Sequence, residues 1–294
     1  MDSACRLCPR SCLAFRSSTC GSGVCRTGTH PVVARAAKHM WEEPCISGDC
    51  GSGAVFFSGC SLGCVYCQNR IISLEGFGKT ISQDRLREIF SELISQNVHN
   101  INLVNPTHFA SAVIEALAEP LPVPVIWNSG GYDTVNTLRM LEGKVQIYLP
   151  DLKYMLPSPA VRYSKAPDYP KTATDAILEM FRQTGAYVTD DGGLLKSGVL
   201  IRHLVLPGNL ENTYRVIDWV DEHFGPGDVL FSLMSQFTPT TACADYPEIN
   251  RTLSQEEHES AVSYLSASGI SDGFFQELSS ASPDFLPDFD LTGI

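Results

Sequence analysis

Short apolar runs alternate with longer amphipathic stretches between about residue 53 and residue 268 of this chain. The runs are rich in β-branched residues and almost continuously apolar, which is typical of strands in a covered parallel sheet. The stretches between them repeat apolar residues every three or four positions, as amphipathic helices do. The pattern predicts strands at about 53–59, 100–105, 123–128, 145–150, 199–206 and 228–234, and helices at about 82–97, 107–118, 133–141, 171–184, 212–223 and 254–268.

Six strand–helix units are too few for a complete eight-strand barrel, so an open barrel and a doubly wound sheet are the alternatives. We expect an α/β fold, a partial (β/α)6 TIM-like barrel with a Cys-rich N-terminal extension. Both architectures place functional residues at the carboxyl ends of the strands, and polar residues follow each predicted strand here.

The composition divides the chain into three regions. Residues 1–50 are rich in Cys, Gly, Arg and Ser, with little apolar periodicity, and are expected to form a small metal-binding segment. Residues 51–269 carry the predicted barrel. Residues 270–294 are acidic, aromatic and punctuated by proline, so we expect an irregular tail that either wraps the barrel or meets a partner.

Charge and hydropathy exclude several classes of function. The net charge of −12 over 294 residues argues against nucleic acid as the main ligand, because phosphate binding needs clustered Lys and Arg. No stretch of about 18 apolar residues predicts a membrane span. The start of the chain lacks the basic and then apolar pattern of a secretion signal, so a cytoplasmic location is expected.

Cysteine is the most informative residue type, because ten of the eleven cysteines precede residue 68. In a long chain without a secretion signal, this favours metal binding over disulfides. Cys60, Cys64 and Cys67 follow a predicted strand with the spacing C-x3-C-x2-C. Three thiolates leave one iron of a four-iron cubane open to a ligand that is not protein. The alternative is a structural zinc site, which usually has four closed ligands in two pairs.

A second group of cysteines lies near the start, in the run Cys5-x2-Cys8-x3-Cys12 followed by Cys20 and Cys25. Four of these thiols suit either a second iron–sulfur cluster or a zinc ion. The preferred set is Cys5, Cys8, Cys12 and Cys25.

Cys60-x3-Cys64-x-Tyr66-Cys67 resembles the signature of the radical S-adenosylmethionine (SAM) superfamily, including the aromatic residue before the last cysteine. Other motifs resemble the pyruvate formate-lyase activating enzyme-like group within it. They are Glu42-Glu43-Pro44-Cys45-Ile46-Ser47-Gly48, Phe56-Phe57-Ser58-Gly59-Cys60, Tyr148-Leu149-Pro150-Asp151-Leu152-Lys153, Arg202-His203-Leu204-Val205-Leu206-Pro207-Gly208 and Pro287-Asp288-Phe289-Asp290.

The resemblance implies a [4Fe-4S] cluster whose open iron binds SAM. An electron then cleaves the S–C5′ bond, and the resulting 5′-deoxyadenosyl radical takes a hydrogen atom from the substrate. In this group the substrate is a glycine of a partner glycyl radical enzyme, and the electron donor is reduced flavodoxin or ferredoxin. Two alternatives stay open: a radical SAM enzyme acting on a small molecule or peptide with an auxiliary N-terminal cluster, and a non-catalytic iron–sulfur or zinc protein.

The resemblance also implies roles for individual residues. Besides the three cysteines, Arg202 is expected to meet a carboxylate of SAM or of the substrate. The expected SAM-binding set comprises Tyr66 against the adenine, Asn105 near the methionyl amine, Asn128 and Ser129 beside a monovalent cation, Asp151 and Lys153 on one strand face, and Gln236 near the ribose.

Overall fold

The computed structural model describes residues 4–280 and 287–294. Within these ranges, one sheet contains ten strands: β1 (Val32–His39), β2 (Ser52–Phe57), β3 (Lys79–Thr80), β4 (Ile101–Val104), β5 (Val125–Ser129), β6 (Ile147–Pro150), β7 (Val188–Thr189), β8 (Leu195–Leu204), β9 (Leu230–Met234) and β10 (Gly273–Phe275). The α-helices are α1 (Pro44–Ser47), α2 (Arg70–Ser73), α3 (Gln83–Ser95), α4 (Ala110–Ala116), α5 (Val135–Met140), α6 (Pro157–Ser164), α7 (Tyr169–Thr184), α8 (Leu210–His223) and α9 (Gln255–Ala267). Short 3₁₀ helices cover Thr107–Phe109, Thr241–Asp245, Pro247–Ile249 and Leu278–Ser280.

The sheet order is β10-β9-β8-β6-β5-β4-β2-β1-β3, with β7 paired to β8. Strands β2, β4, β5, β6, β8, β9 and β10 run parallel, whereas β1 lies antiparallel between β2 and β3. The two ends of this order do not pair with each other in the described part of the chain, so the barrel is open. The prediction of a partial barrel is confirmed.

Alternation along the parallel strands separates two apolar layers. Val125, Trp127 and Tyr148 belong to the large core formed with the outer helices, whereas Ile126 and Ile147 belong to a smaller inner cluster. Cys45 and Ile46 of α1 complete that inner cluster. Helix α1, which precedes β2, therefore fills the interior of the barrel below the carboxyl ends of the strands.

All six predicted barrel strands and all six predicted helices are present within a few residues of their expected bounds. Strand β1 was not predicted, because after Val32 and Val33 its sequence VVARAAKH consists of alanine and basic residues without a strong β pattern. Residues 32–39 therefore belong to the sheet, and the loop-built part of the first region ends near residue 31. Helix α6 was not predicted either; it begins at Pro157, and the first position of a helix suits proline.

The end of the tail lies along β1. The Ala36 amide donates to Thr292 O (2.9 Å), and the Leu291 amide donates to Ala34 O (3.1 Å). The Arg35 guanidinium pairs with Asp290 (2.8 Å). Of the two alternatives for residues 270–294, the described part favours wrapping, although β10 makes it less irregular than expected; residues 281–286 lie outside the described residues.

No helix in the described ranges is long and apolar enough to cross a membrane.

Candidate functional site

The three cysteines of the C-x3-C-x2-C motif lie in the loop after β2 and line a cavity of about 290 Å³ at the carboxyl ends of the strands. Each sulfur accepts a hydrogen bond: Cys60 from the Leu62 amide (3.3 Å), Cys64 from Ser164 Oγ (3.0 Å) and Cys67 from Ser73 Oγ (3.3 Å). Donors of this kind stabilise negative charge on sulfur and orient metal-binding thiolates. The two serines were not foreseen from the sequence, because Ser164 is 100 positions from Cys64.

Burial makes the thiols of Cys64 and Cys67 hard to ionise by themselves. It raises the pKa of Cys67 to about 12, partly offset by the hydrogen bond from Ser73. Burial also raises the pKa of Cys64, while the Lys153 ammonium and Ser164 oppose the rise. Iron binds the thiolate, so metal binding must displace these protons, and the nearby cation and hydroxyl donors favour that exchange.

A network of charges lies across the cavity floor from the cysteines. The Asp151 carboxylate binds Lys153 Nζ (2.6 Å) and Arg202 Nε (3.1 Å), and Arg202 also contacts Glu42 (3.2 Å) and donates to Asn128 Oδ1 (2.6 Å). Burial alone would raise the pKa of Asp151, but the charges of Lys153 and Arg202 outweigh it and hold that pKa below its usual value. The alternation inferred from sequence places Asp151 and Lys153 on the same, inner face.

Glu42 and Glu43 belong to the same network, although no role was predicted for them. Glu42 Oε1 accepts hydrogen bonds from Asn102 (2.9 Å) and Asn128 (3.3 Å). Burial raises the pKa of Glu43, with Arg202 opposing the rise, and Glu43 Oε2 has no hydrogen-bond partner among the described residues. A buried carboxyl group with a raised pKa and an oxygen that has no hydrogen-bond partner among the described residues is suited to bind or release a proton near the cavity. The sequence signals for them were the acidic pair directly before the α1 proline and the motif of residues 42–48 that contains it.

The remaining predicted cofactor residues differ in what they contact. Asn105 adopts a left-handed backbone (φ 59°), and its Nδ2 donates to Gly59 O (2.6 Å), so it supports the cysteine loop. Ser129 Oγ donates to Asp133 (2.5 Å), and Gln236 lines the cavity and accepts from Gln276 (3.2 Å).

Asp133 was missed by the sequence analysis. It is buried and also accepts hydrogen bonds from Thr107 (2.6 Å) and Trp127 (3.3 Å). Burial raises the pKa of this carboxyl group, and the three donors oppose the rise. The hydroxyl of Thr107 is thus directed to Asp133.

Tyr66 lines the cavity and is 5% exposed. Its hydroxyl bonds Tyr154 (2.7 Å), and its ring meets Phe237 edge-on with centroids 5.9 Å apart. The expected place beside the adenine and plain packing in the cavity wall are both compatible with this arrangement.

The N-terminal segment brings the preferred second quartet together. Burial raises the pKa of Cys8 to about 12, a hydrogen bond at the Arg10 backbone lowers it, and the thiolates of Cys25, Cys5 and Cys12 raise it further. The four thiols are therefore electrostatic neighbours. Cys20 lies apart, exposed and in contact with Ser17 (3.1 Å).

Arg10 attaches the N-terminal segment to the cysteine loop through hydrogen bonds to backbone carbonyls. The Arg10 guanidinium donates to Ser61 O (2.8 Å), Leu62 O (3.0 Å) and Ser164 O (2.7 Å), and it also contacts Lys165 O (2.5 Å). Its charge also lies 5.4 Å from the ring centroid of Tyr132, which lines the cavity. The N-terminal cysteines thus lie directly over the rim.

A separate group of metal-ligating side chains lies at the opposite ends of β2 and β4. Asp49, Cys50 and His99 have ligand atoms within 4.8 Å of one another, and no other such group of three occurs in residues 4–280 and 287–294. His99 Nε2 contacts Asp49 (2.8 Å) and the Cys50 amide (3.1 Å), so its ring nitrogen already has two partners.

Comparisons with known proteins bear on the cavity cysteines. Residues 46–148 match the model of a family described as a 4Fe-4S single cluster domain, and this range includes Cys60, Cys64 and Cys67. An uncharacterized protein of Methanocaldococcus jannaschii is 29% identical over 268 residues, which cover 88% of this chain and 73% of that protein.

A solved structure of Streptococcus suis SuiB bound to the precursor peptide SuiA aligns with a TM-score of 0.48 and 11% identity. The alignment covers 76% of this chain and 48% of SuiB, so this chain spans about half the length of that protein.

Proposed function

We propose that this protein is a radical SAM enzyme that holds a [4Fe-4S] cluster on Cys60, Cys64 and Cys67. The observation that carries the proposal is the placement of three hydrogen-bonded sulfurs and a buried charge network around one cavity. The match of residues 46–148 to a 4Fe-4S domain family supports the metal assignment. When bound, the cluster would supply the electron that cleaves the S–C5′ bond of SAM.

The protein side chains would bind and orient SAM. Its methionyl group carries a carboxylate and an ammonium, and the cavity floor offers cations and carboxylates within a few ångströms of each other. Arg202 and Lys153 suit the carboxylate, whereas Glu42 and Asp151 suit the ammonium. Asn105 and Ser129 would act by fixing the loops around the cysteines and β5.

The cavity wall would keep water from a reactive carbon radical. Apolar side chains from four strands and the cysteine loop face the cavity: Phe56, Leu62, Val104, Leu204 and Met234. Apolar wall side chains interspersed with polar groups are typical of a small-molecule site, and the apolar ones limit side reactions with water.

A glycine of a partner glycyl radical enzyme is the hydrogen donor that we propose, on the basis of the activating-enzyme resemblance in the sequence. Reduced flavodoxin or ferredoxin would be the electron donor. A small molecule or a peptide is the competing substrate class, and glycyl radical formation on a purified candidate enzyme separates the two.

The test of the proposed function is anaerobic reconstitution with iron and sulfide, followed by reduction with dithionite in the presence of SAM. The expected products are methionine and 5′-deoxyadenosine, and addition of SAM should change the electron paramagnetic resonance (EPR) signal of the reduced cluster. Cys64→Ala should abolish 5′-deoxyadenosine formation, because it removes a ligand.

The matched control is Cys50→Ala, which removes a thiol at the far end of β2 and should leave product formation intact. A wild-type protein that binds iron but neither binds nor cleaves SAM would be a non-catalytic iron–sulfur protein. Zinc without iron at the three cysteines would equally contradict the proposal.

A further inference from the structure

We infer that Cys5, Cys8, Cys12 and Cys25 hold a second [4Fe-4S] cluster and that it passes electrons to the cavity site. The relay role rests on the proposed function, whereas the second cluster does not. The matched 4Fe-4S domain begins at residue 46, so it leaves these four cysteines unassigned.

The surroundings of the sulfurs are those of metal-bound thiolates. Arg16 Nη1 donates to Cys5 Sγ (3.7 Å), Thr27 Oγ1 donates to Cys25 Sγ (3.3 Å), and the Arg10 backbone bonds Cys8. Three of the four sulfurs thus have donors that orient them and offset their charge, as the cavity cysteines do. A cationic guanidinium at Cys5 further stabilises a site with net negative charge.

The spacing of the sulfurs favours a cubane over zinc. Four sulfurs that share one zinc at about 2.3 Å lie roughly 3.8 Å apart. In the described ranges, no three cysteine sulfurs lie within 4.8 Å of one another. In a cubane each cysteine binds a different iron, which requires this wider arrangement. The hypothetical Cβ of Gly23 would lie 3.0 Å from Cys12 Sγ and 3.9 Å from Cys25 Sγ, so those two sulfurs flank a residue without a side chain.

The quartet also lies next to the cavity cysteines. A Cβ on Gly59, the residue before Cys60, would lie 2.8 Å from Cys25 O and 2.6 Å from Thr27 Cγ2. Gly59 has φ 85°, a left-handed conformation that a side chain would strain, so glycine permits this close approach. Hydrogen bonds from Arg10 to Ser61 O and Leu62 O fix the other side of the same loop.

The exposure of the ligands gives the relay a direction. Cys12 is exposed, whereas Cys8 and Cys25 are buried, and Cys25 lies beside Gly59 of the cysteine loop. One electron would enter near Cys12 from a reduced one-electron carrier, an iron–sulfur or flavin protein, and leave towards Cys60. The carrier is oxidised by one electron and the sulfonium of SAM is reduced by one, so the electrons balance.

The experiment compares metal content in full-length variants after anaerobic reconstitution. Wild type should hold about eight iron atoms per chain, and Cys8→Ala and Cys12→Ala about four. Cys20→Ala, an exposed thiol of the same segment, should retain the wild-type content. Because the Cys12 side chain is exposed, Cys12→Ala should fold as wild type does, and its loss of iron would then reflect the missing ligand.

A variant with alanine at Cys60, Cys64 and Cys67 should retain about four iron atoms and an EPR signal of a reduced cubane. That result would stand even if the protein never cleaves SAM, so failure of the two proposals can be distinguished. About four irons and one zinc in wild type, with the zinc lost in Cys8→Ala, would overturn the second cluster.

The relay is tested by changing the reductant. With reduced flavodoxin, Cys12→Ala should form 5′-deoxyadenosine at least about tenfold more slowly than wild type. With dithionite, a small reductant that reaches the cavity directly, its rate should stay near that of wild type. Unchanged rates with flavodoxin, or equal losses with both reductants, would overturn the relay.

Discussion

At the scale of single residues, the cavity combines donors to sulfur with a buried network of charges. Asp151 is central to the network, because its carboxylate separates the cations of Lys153 and Arg202. Without it, two buried positive charges would face each other in a medium that screens them poorly. The same carboxylate is a candidate partner for the SAM ammonium.

Asp151→Asn should weaken SAM binding roughly tenfold or more while leaving the iron content unchanged, because charged hydrogen bonds contribute about 1.5–3 kcal/mol. Equilibrium binding of SAM to the reconstituted protein measures the effect. Asp175→Asn, which breaks the exposed pair with Lys171 (2.6 Å), is the matched control. Equal affinities of Asp151→Asn and wild type would reduce Asp151 to a structural role.

His203 predicts a pH dependence of stability. Burial lowers its pKa to about 4, with a hydrogen bond to Leu152 O opposing the shift. In the unfolded chain the His203 imidazole binds a proton near pH 6.5. The stability linked to neutral His203 is therefore fully present above that value, and it is lost as pH decreases from about 6.5 to about 4. His203→Gln should flatten this slope by up to about 1.4 kcal/mol per pH unit in denaturant titrations. An identical slope in both proteins would contradict the assignment.

At the scale of elements, the end of the chain protects an edge of β1. Strand β3 pairs with β1 only at Val32 and Val33, and residues 291–292 take over the pairing at Ala34 and Ala36. Phe289 packs on Phe56 with ring centroids 5.5 Å apart, which ties the tail to the strand that leads to Cys60. An uncovered edge would invite pairing with other chains.

Deletion of residues 287–294 should therefore speed amide exchange at Ala36 and lower the midpoint of thermal unfolding by about 2–4 °C per kcal/mol lost. Hydrogen exchange and differential scanning calorimetry measure the two effects. Asp290→Asn removes the ion pair with Arg35 but keeps the backbone pairing, so its exchange should resemble wild type. Unchanged exchange at Ala36 after deletion would show that the contact contributes nothing.

At the scale of the whole molecule, the N-terminal segment packs on the rim beside the cysteine loop. One side chain, Arg10, crosses from this segment to the cysteine loop and to the end of α6. Arg16 adds a second crossing by donating to His108 O (2.7 Å). The segment has little regular secondary structure, so long-range contacts of this kind attach it to the barrel.

Arg10→Ala should loosen the segment, because four backbone carbonyls lose their donor. Limited proteolysis should cleave residues 4–31 several times faster than in wild type, with the barrel core unaffected. Arg6→Ala, at an exposed position of the same segment, is the control. Equal cleavage of the two variants would contradict an anchoring role for Arg10.

Much of the fold follows from local patterns. The strands of the barrel and its outer helices are encoded by periods of two and 3.6 residues, and a parallel sheet then brings every strand end to one rim. The cysteine spacing adds the chemistry, because three thiolates within eight positions suit one metal site. Even the shared face of Asp151 and Lys153 follows from strand alternation.

The tertiary structure alone decided which distant residues complete the site. Glu42, Ser164 and Asp133 contact cavity-lining residues that lie 26–160 positions away, and no local pattern carries such information. Strand β1 was not predicted for the same reason, because its pairing with β2, rather than its own β-strand propensity, holds it in the sheet. The chain determined its elements and its metal-binding loop locally, whereas packing across the rim determined the charge network and the place of the N-terminal cysteines.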